Sequence, residues 1–185
     1  MIGVLADDFS GASEIAGLAV WAGHSAHVWT TYGSSVVADV APRLGAGLQA
    51  PVEATLGIDE ELTKFLRGDC EFSLPDVLVI DTDSRSLSPA AAAARVAQQT
   101  SRLRAAGVRK FYKKIDSVLR GQIAPEITAM VAAGGFSRAI LLPANPSRGR
   151  VIMGGRYFVG GVPLDETVFK DDPEHPVHTA WLAER

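Results

Sequence analysis

Four times in this chain a short strand-like run, apolar except at residues 108–115 where Arg109, Lys110, Lys113 and Lys114 interrupt it, breaks off into a cluster of charged and polar residues, and segments with helical spacing separate most of these runs. Residues 2–6 end in Asp7-Asp8-Phe9-Ser10-Gly11, and residues 77–80 end in Asp81-Thr82-Asp83-Ser84-Arg85. Residues 108–115 end in Asp116-Ser117, and residues 139–142 end in Pro143-Ala144-Asn145. A brief apolar run bounded by turn residues reads as a buried strand. Parallel strands need a crossover long enough to hold a helix, so strands alternating with helices predict a parallel sheet.

The intervening segments fit that scheme. Ala12, Ile15, Ala16 and Ala19 fall at helical spacing, with Ser10 as the expected N-cap and Gly23 as the stop. Ser88-Pro89 opens an alanine-rich helix that runs to Ala106 and stops at Gly107; serine caps and proline suits the first turn. Residues 121–133 predict another helix, stopped by Gly134-Gly135. Residues 26–31 read as a further strand and 60–66 as a short helix, while Pro42, Gly45, Gly47 and Pro51 mark loops in the weakly patterned stretch 33–73. Residues 151–153 and 156–159 flank Gly154-Gly155 as a β-hairpin. The tail from Lys170 is polar, with Pro173 and Pro176. The expected fold is α/β: a doubly wound, mainly parallel, Rossmann-like sheet with a C-terminal β-hairpin extension, as one domain over 1–185.

Composition narrows the function by exclusion. A chain of 185 residues can bury a core without staples. The net charge of −3, with basic residues scattered apart from Arg109, Lys110, Lys113 and Lys114, gives no nucleic-acid footprint. Cys70 is the one cysteine, so neither an internal disulfide nor a cysteine metal cluster can form, and no metal-ligand set stands out. No apolar run reaches membrane-spanning length, and the first residues lack the basic start of a signal peptide. The expectation is a cytoplasmic protein with a small-molecule ligand and neither nucleic-acid nor membrane partners.

In an open parallel sheet, ligands bind beyond the carboxyl ends of the strands. All four polar clusters are expected there, three bringing carboxylates and three bringing cations. That mixture suits a small, anionic, hydroxylated ligand: arginine forks onto a carboxylate, and aspartate holds a hydroxyl or takes its proton. Each cluster has a plainer reading alone. Asp7-Asp8 can cap a helix, 81–85 can be an Asx turn with a surface salt bridge, one of Lys113 and Lys114 can point to solvent, Arg120 can be a solvated first-turn residue, and Asn145 can bond only its own loop. Their joint placement favours a shared ligand.

At these residues the chain resembles the four-carbon acid sugar kinases. Ala6-Asp7-Asp8-Phe9-Ser10-Gly11-Ala12 resembles the family's ADD-[FL]-[ST]-GA opening, and Asp81-Thr82-Asp83-Ser84-Arg85 its D-T-x-S-R signature. Residues 113–121, Lys113-Lys114-Ile115-Asp116-Ser117-Val118-Leu119-Arg120-Gly121, resemble K-K-x-D-S-x-x-R-G. Pro143-Ala144, Gly149-Arg150 and Gly154 resemble P-A-x-P-x-x-G-R-x-x-x-x-G, and Pro163-Leu164-Asp165-Glu166-Thr167 with Asp172-Pro173 and His175-Pro176 resembles the close. Ser10 stands where threonine is commoner, which keeps the hydroxyl, and Asn145 where phenylalanine is common, which alters the pocket.

The resemblance implies ATP-dependent phosphorylation of a hydroxyl on threonate, erythronate or a 3-oxo-tetronate-type acid, with this N-terminal domain holding the sugar acid. ATP and Mg2+ are implied with it, bound mainly by a C-terminal nucleotide-binding domain absent from this chain; no G-x-x-x-x-G-K-[ST] loop is present. The implied substrate-binding set is Asp7, Asp8, Ser10, Arg85, Lys113, Lys114, Asp116, Ser117, Arg120 and Arg150. Asp8 and Asp116 are the catalytic candidates, one of them taking the proton. Arg85 and one of Lys113 or Lys114 are expected on the substrate carboxylate, and Arg120 and Arg150 there or on the incoming phosphate. Glu14 could support the first loop. One alternative is a non-catalytic sugar-acid-binding module, or a split-enzyme subunit whose kinase half is a separate chain. The other is a magnesium-dependent phosphatase of the haloacid-dehalogenase type, since residues 77–85 fit hhhhDxDx[ST] with Asp81 as nucleophile and Asp83 as acid/base. That alternative leaves Asp7-Asp8 and Asp116-Ser117 unexplained, and Asp171-Asp172 does not follow an apolar strand.

Overall fold

The computed structural model describes residues 1–30, 35–38, 58–69 and 73–185. The expected loop markers Pro42, Gly45, Gly47 and Pro51, and Cys70, lie outside the described residues. In chain order the main elements are β1 (Ile2–Ala6), α1 (Phe9–Trp21), β2 (Ala26–Trp29), β3 (Ser35–Ala38), α2 (Ile58–Arg67), β4 (Val77–Asp81), α3 (Pro89–Ala105), β5 (Lys110–Lys114), α4 (Ile123–Gly134), β6 (Arg150–Met153), β7 (Arg156–Val159) and β8 (Val162–Pro163).

The large sheet has the order β3-β2-β4-β1-β5, parallel except for β3, which runs antiparallel to β2. Val77–Asp81 is buried throughout, as a strand covered on both faces must be. Pleating sends Val4, Ala6, Val28, Val77 and Val79 to one face, where they meet Ala12 and Ala16 of α1. It sends Leu5, Trp29, Leu78 and Ile80 to the other face, where Leu62 and Phe65 of α2, Val96 and Leu103 of α3 and Met130 of α4 cover them. Alanines at the α1 contact let that helix lie close on the sheet. The register pairs Ala6 with both Asp81 and Lys114. The exits of β1, β4 and β5 therefore leave the sheet at one level, side by side.

The expected hairpin forms as β6 and β7, with the short β8 added beyond β7. It packs on the loop after β5 rather than on the sheet, through a third apolar cluster built from Val118, Leu119, Ile123, Tyr157, Leu164 and Val177.

Three expectations need correction. Asp8, not Ser10, caps α1, its Oδ1 accepting the Gly11 N–H at 2.8 Å. Helix α4 begins at Ile123 rather than Gly121, because Gly121 takes the left-handed φ of +86°. Residues 139–142 are not a strand. Ile140 and Leu142 are 95% and 74% exposed. The residues just beyond tie this segment elsewhere: the Pro143 carbonyl accepts from the Tyr157 hydroxyl and Asn145 bridges to Arg150, drawing the chain toward the hairpin.

Candidate functional site

The site grows out of the three aligned strand exits. After β1, Asp7 is buried and Asp8 half-buried as the α1 cap. After β4 the chain turns back over β1: the N–H groups of Ser84 and Arg85 both donate to the Asp7 carbonyl, and Thr82 donates its N–H and hydroxyl to the Ala6 carbonyl. Asp83 sustains this turn in the left-handed region at φ 43°, its N–H held by Asp81 Oδ1. Such a backbone is uncommon for a residue with a side chain. It returns Arg85 across the ends of three strands.

Arg85 is the hub. Its Nε donates to Asp7 Oδ2 at 2.8 Å, its Nη1 lies 2.8 Å from Asp8 Oδ2, and its Nη2 lies 3.6 Å from Asp116 Oδ1. Gly121 permits this, since a Cβ there would fall 3.2 Å from Arg85 Cγ. The carboxylate of Asp116 also accepts Arg120 Nε and Nη2 at 3.0 Å each and the Val118 N–H at 3.1 Å. Burial pushes the Asp116 carboxyl up, but the Arg120 bonds, the charges of Arg85 and Arg120 and the Val118 N–H outweigh it and hold the group below the usual carboxylate range. Arg120 continues to Asp172 Oδ2 at 3.4 Å, drawing the C-terminal tail to the site. Asp172 is held low first by the His175 N–H.

The two lysines part company through strand alternation. Lys113 turns toward α4 and forms a buried pair with Glu126, Nζ to Oε2 2.9 Å. Glu126 also accepts the Ser84 hydroxyl, which lies 2.8 Å from that of Thr82. Lys114 turns toward α1 and meets Glu14 at 3.2 Å. Gly11 leaves room for it: a Cβ at that position would fall 3.1 Å from Lys114 Cγ and 2.9 Å from Asp8 Oδ1.

These groups border a cavity of about 890 Å3. Asp8, Ser10, Arg85, both lysines, Asp116 and Ser117 from the expected set line it, with Asn145 and Arg148 from the fourth cluster. Asp7 and Arg120 stand behind as partners of Arg85 and Asp116. Arg150 is not among the lining residues, and its Nε is buried without a partner among the described residues. Asp81 is also absent from the lining, and at 2% exposure burial raises its carboxyl above the ordinary value. A nucleophile so placed cannot meet a substrate, and the phosphatase reading finds no support.

Sequence reasoning did not single out Glu126 or Tyr157. Glu126 carried a signal, as the lone charge in the apolar helix Ile123–Gly134. Tyr157 carried none. It is fully buried, and its hydroxyl reaches the Ser117 carbonyl at 2.9 Å and the Pro143 carbonyl at 3.0 Å, clamping the loop after β5 to the segment beyond α4.

No group of three or more His, Cys, Asp or Glu side chains among the described residues is placed to hold a metal, and the carboxylates at the strand ends are already engaged by Arg85 and Arg120. Nor is any described helix long and apolar enough to cross a membrane.

Comparison with known proteins gives the same picture at the level of the domain. Residues 2–185 match the family described as the sugar-binding N-terminal domain. A D-threonate kinase of Bordetella bronchiseptica is 36% identical over 177 residues, covering 95% of this chain and 36% of that protein. A D-erythronate kinase of Heliobacterium modesticaldum is 40% identical over 110 residues, covering 59% of this chain and 25% of its own length. Further relatives carry the name 3-oxo-tetronate kinase. A crystal structure of a Bordetella bronchiseptica domain of unknown function, described as a domain-swapped dimer with bound citrate, superposes with a TM-score of 0.74 at 32% identity, covering 99% of this chain and 38% of that one. The chain thus spans only about a third of the length of such relatives.

Proposed function

We propose, from the premise that this chain belongs to the family of sugar-binding N-terminal domains, that it holds a four-carbon sugar acid of the threonate or erythronate type and presents one hydroxyl for phosphorylation. The observation that carries the reading is the convergence of Asp8, Arg85, Lys114 and Asp116 on one cavity at the carboxyl ends of β1, β4 and β5. The Bordetella structure that superposes on this chain is itself described with bound citrate, a hydroxylated carboxylic acid.

In this reading the substrate carboxylate meets Lys114 and the guanidinium N–H groups of Arg85 that its aspartates leave free. The hydroxyls of Ser10 and Ser117 bond the sugar hydroxyls. Asp8, which reaches the cavity, takes the proton of the reacting hydroxyl. Asp116 is a positioning residue: its carboxylate is committed to Arg120 and Arg85, and its low pKa makes it a poor proton acceptor. ATP with Mg2+ would supply the phosphoryl group, and this chain's contribution would rest mainly on the position and charge of the residues that hold the sugar acid.

A thermal-shift screen tests this. A ligand that binds only the folded state raises the melting temperature by mass action. D-threonate or D-erythronate should raise it in a saturable manner and butyrate, which lacks the hydroxyls, should not. Equal shifts with butyrate, or none with any four-carbon sugar acid, would refute the reading.

A further inference from the structure

The cavity takes Ile127, Met130 and Val131 from α4, while Glu126 of the same helix is absent from its lining and fully buried. Burying a carboxylate is costly unless a charge and hydrogen bonds compensate it, and Glu126 has both. Lys113 Nζ lies 2.9 Å from its Oε2, and the Ser84 hydroxyl donates to its Oε1. Each partner leads on to a strand exit. Lys113 Nζ also donates to the Lys114 carbonyl at 2.9 Å, at the end of β5. The Ser84 hydroxyl lies 2.8 Å from that of Thr82, which reaches the Ala6 carbonyl at the end of β1 at 2.7 Å. These two hydroxyls carry two protons for three contacts. The carboxylate is the one charged acceptor among them and takes the Ser84 proton.

Ser84 and Arg85 are neighbours in the turn after β4. Ser84 reaches α4, and Arg85 reaches Asp7, Asp8 and Asp116. Their two N–H groups share the Asp7 carbonyl at 3.0 and 3.2 Å. Arg95 of α3 holds the Thr82 and Asp83 carbonyls at 2.9 and 3.0 Å, and the Ser84 hydroxyl ties the turn to α4. We infer that Glu126 is a positioning residue of the sugar-acid site: by accepting the Ser84 hydroxyl and the Lys113 ammonium it fixes the turn 82–85 and, through it, the Arg85 guanidinium. Its effect reaches the substrate through Arg85, whose forked contact with a carboxylate depends on angle and distance. Lys113 serves the same end, because its ammonium is committed to Glu126 and the Lys114 carbonyl. The effect on affinity rests on the sugar-acid reading; the effect on Arg85 does not.

A buried ion pair exchanged for apolar side chains of similar volume often costs no stability, so positioning can be separated from folding. The test compares four variants with the wild-type chain: Ser84→Ala, which leaves the ion pair intact, Lys113→Met/Glu126→Leu, these three substitutions together, and Lys113→Met/Glu126→Gln, whose amide carbonyl restores an acceptor for Ser84. Two readouts are taken on chains that unfold cooperatively: D-threonate affinity by calorimetry, and the Arg85 Nε–H signal in 15N spectra, assigned with Arg85→Lys. Ser84→Ala and Lys113→Met/Glu126→Leu should each shift or broaden the Arg85 signal and weaken threonate binding about tenfold or more. The triple variant should bind within about twofold of either, because all three remove one link, and the glutamine variant should recover both readouts. An Arg85 signal and affinity unchanged in Ser84→Ala, effects that multiply in the triple variant, or no recovery with glutamine would overturn the inference. A wild-type chain that binds no threonate would refute the sugar-acid reading instead, and the Arg85 signal would then decide the role of Glu126 by itself.

Discussion

Arg85 touches three aspartates, and the chemistry of the site depends on how it divides its donors among them. Asp7 and Asp8 take close contacts and Asp116 a longer one, so the Nη2 end retains capacity toward the cavity. Asp8→Asn keeps an α1 cap, since asparagine and aspartate cap about equally well, but removes a charge partner of Arg85 and the proposed proton acceptor. In a complete kinase assembled around this domain, Asp8→Asn should lower turnover far more than affinity; turnover within a few-fold of wild type would move the base elsewhere. Lys114→Met keeps the length of the side chain and removes its charge. It should weaken sugar-acid affinity about tenfold in a titration, the modest figure reflecting a pair with a partly exposed Glu14. Unchanged affinity would remove Lys114 from the carboxylate site.

Elements place these residues through two buried clamps. The Lys113–Glu126 pair joins β5 to α4, with both side chains under a tenth exposed. Removing one member of a buried pair leaves the other charge uncompensated, at about 3–5 kcal/mol. Lys113→Ala should therefore be destabilised by that amount in chemical denaturation, and Lys113→Met combined with Glu126→Leu should recover much of it. A loss under 1 kcal/mol would show that the pair is wet, a bound set by the worth of exposed pairs at roughly 0–1 kcal/mol. Tyr157→Phe should cost about 1–3 kcal/mol by leaving the Ser117 and Pro143 carbonyls without their donor, read in the same denaturation experiment. At this scale the sequence was legible where burial is two-sided. β1 and β4 announce themselves as apolar runs cut off by acids, whereas β5 is a half-exposed edge strand carrying three lysines. The run at 139–142 looks like the first two and is not a strand, because an apolar run records a need for cover and not what provides it. The choice of Asp8 over Ser10 as cap was beyond local pattern, since both are good capping residues. The role of Lys113 depended on Glu126, thirteen positions on and a helix away.

Across the whole molecule, the charges couple the site to stability. Asp116 titrates below its unfolded value of 3.8 in the native state. Its contribution is therefore complete above about pH 4 and is lost as pH falls through the lowered native value. Asp81 is raised from the same 3.8, so its contribution has the opposite sign, present below that value and lost as pH rises through the raised one. Asp116→Asn should flatten the acid limb of a stability-pH curve. Asp81→Asn should gain stability relative to wild type at pH 7 compared with pH 3. Denaturation midpoints across that range check both, and a wild-type acid limb surviving Asp116→Asn would contradict the first. The doubly wound architecture and the meeting of Asp8, Arg85 and Asp116 were legible because strand exits must share an edge. The use of Arg85 as a bridge among aspartates was not, because it depends on the left-handed turn at Asp83 and on the space above Gly121.

The claim that these strand exits form one sugar-acid site is most directly tested by chemical-shift mapping of the 15N-labelled chain titrated with D-threonate. The perturbed amides should cluster at Ser10, Gly11, Arg85, Lys114 and Ser117, with α3 and the β6–β7 hairpin unmoved. Saturable perturbations centred on the hairpin or α3, or none at any concentration, would contradict it.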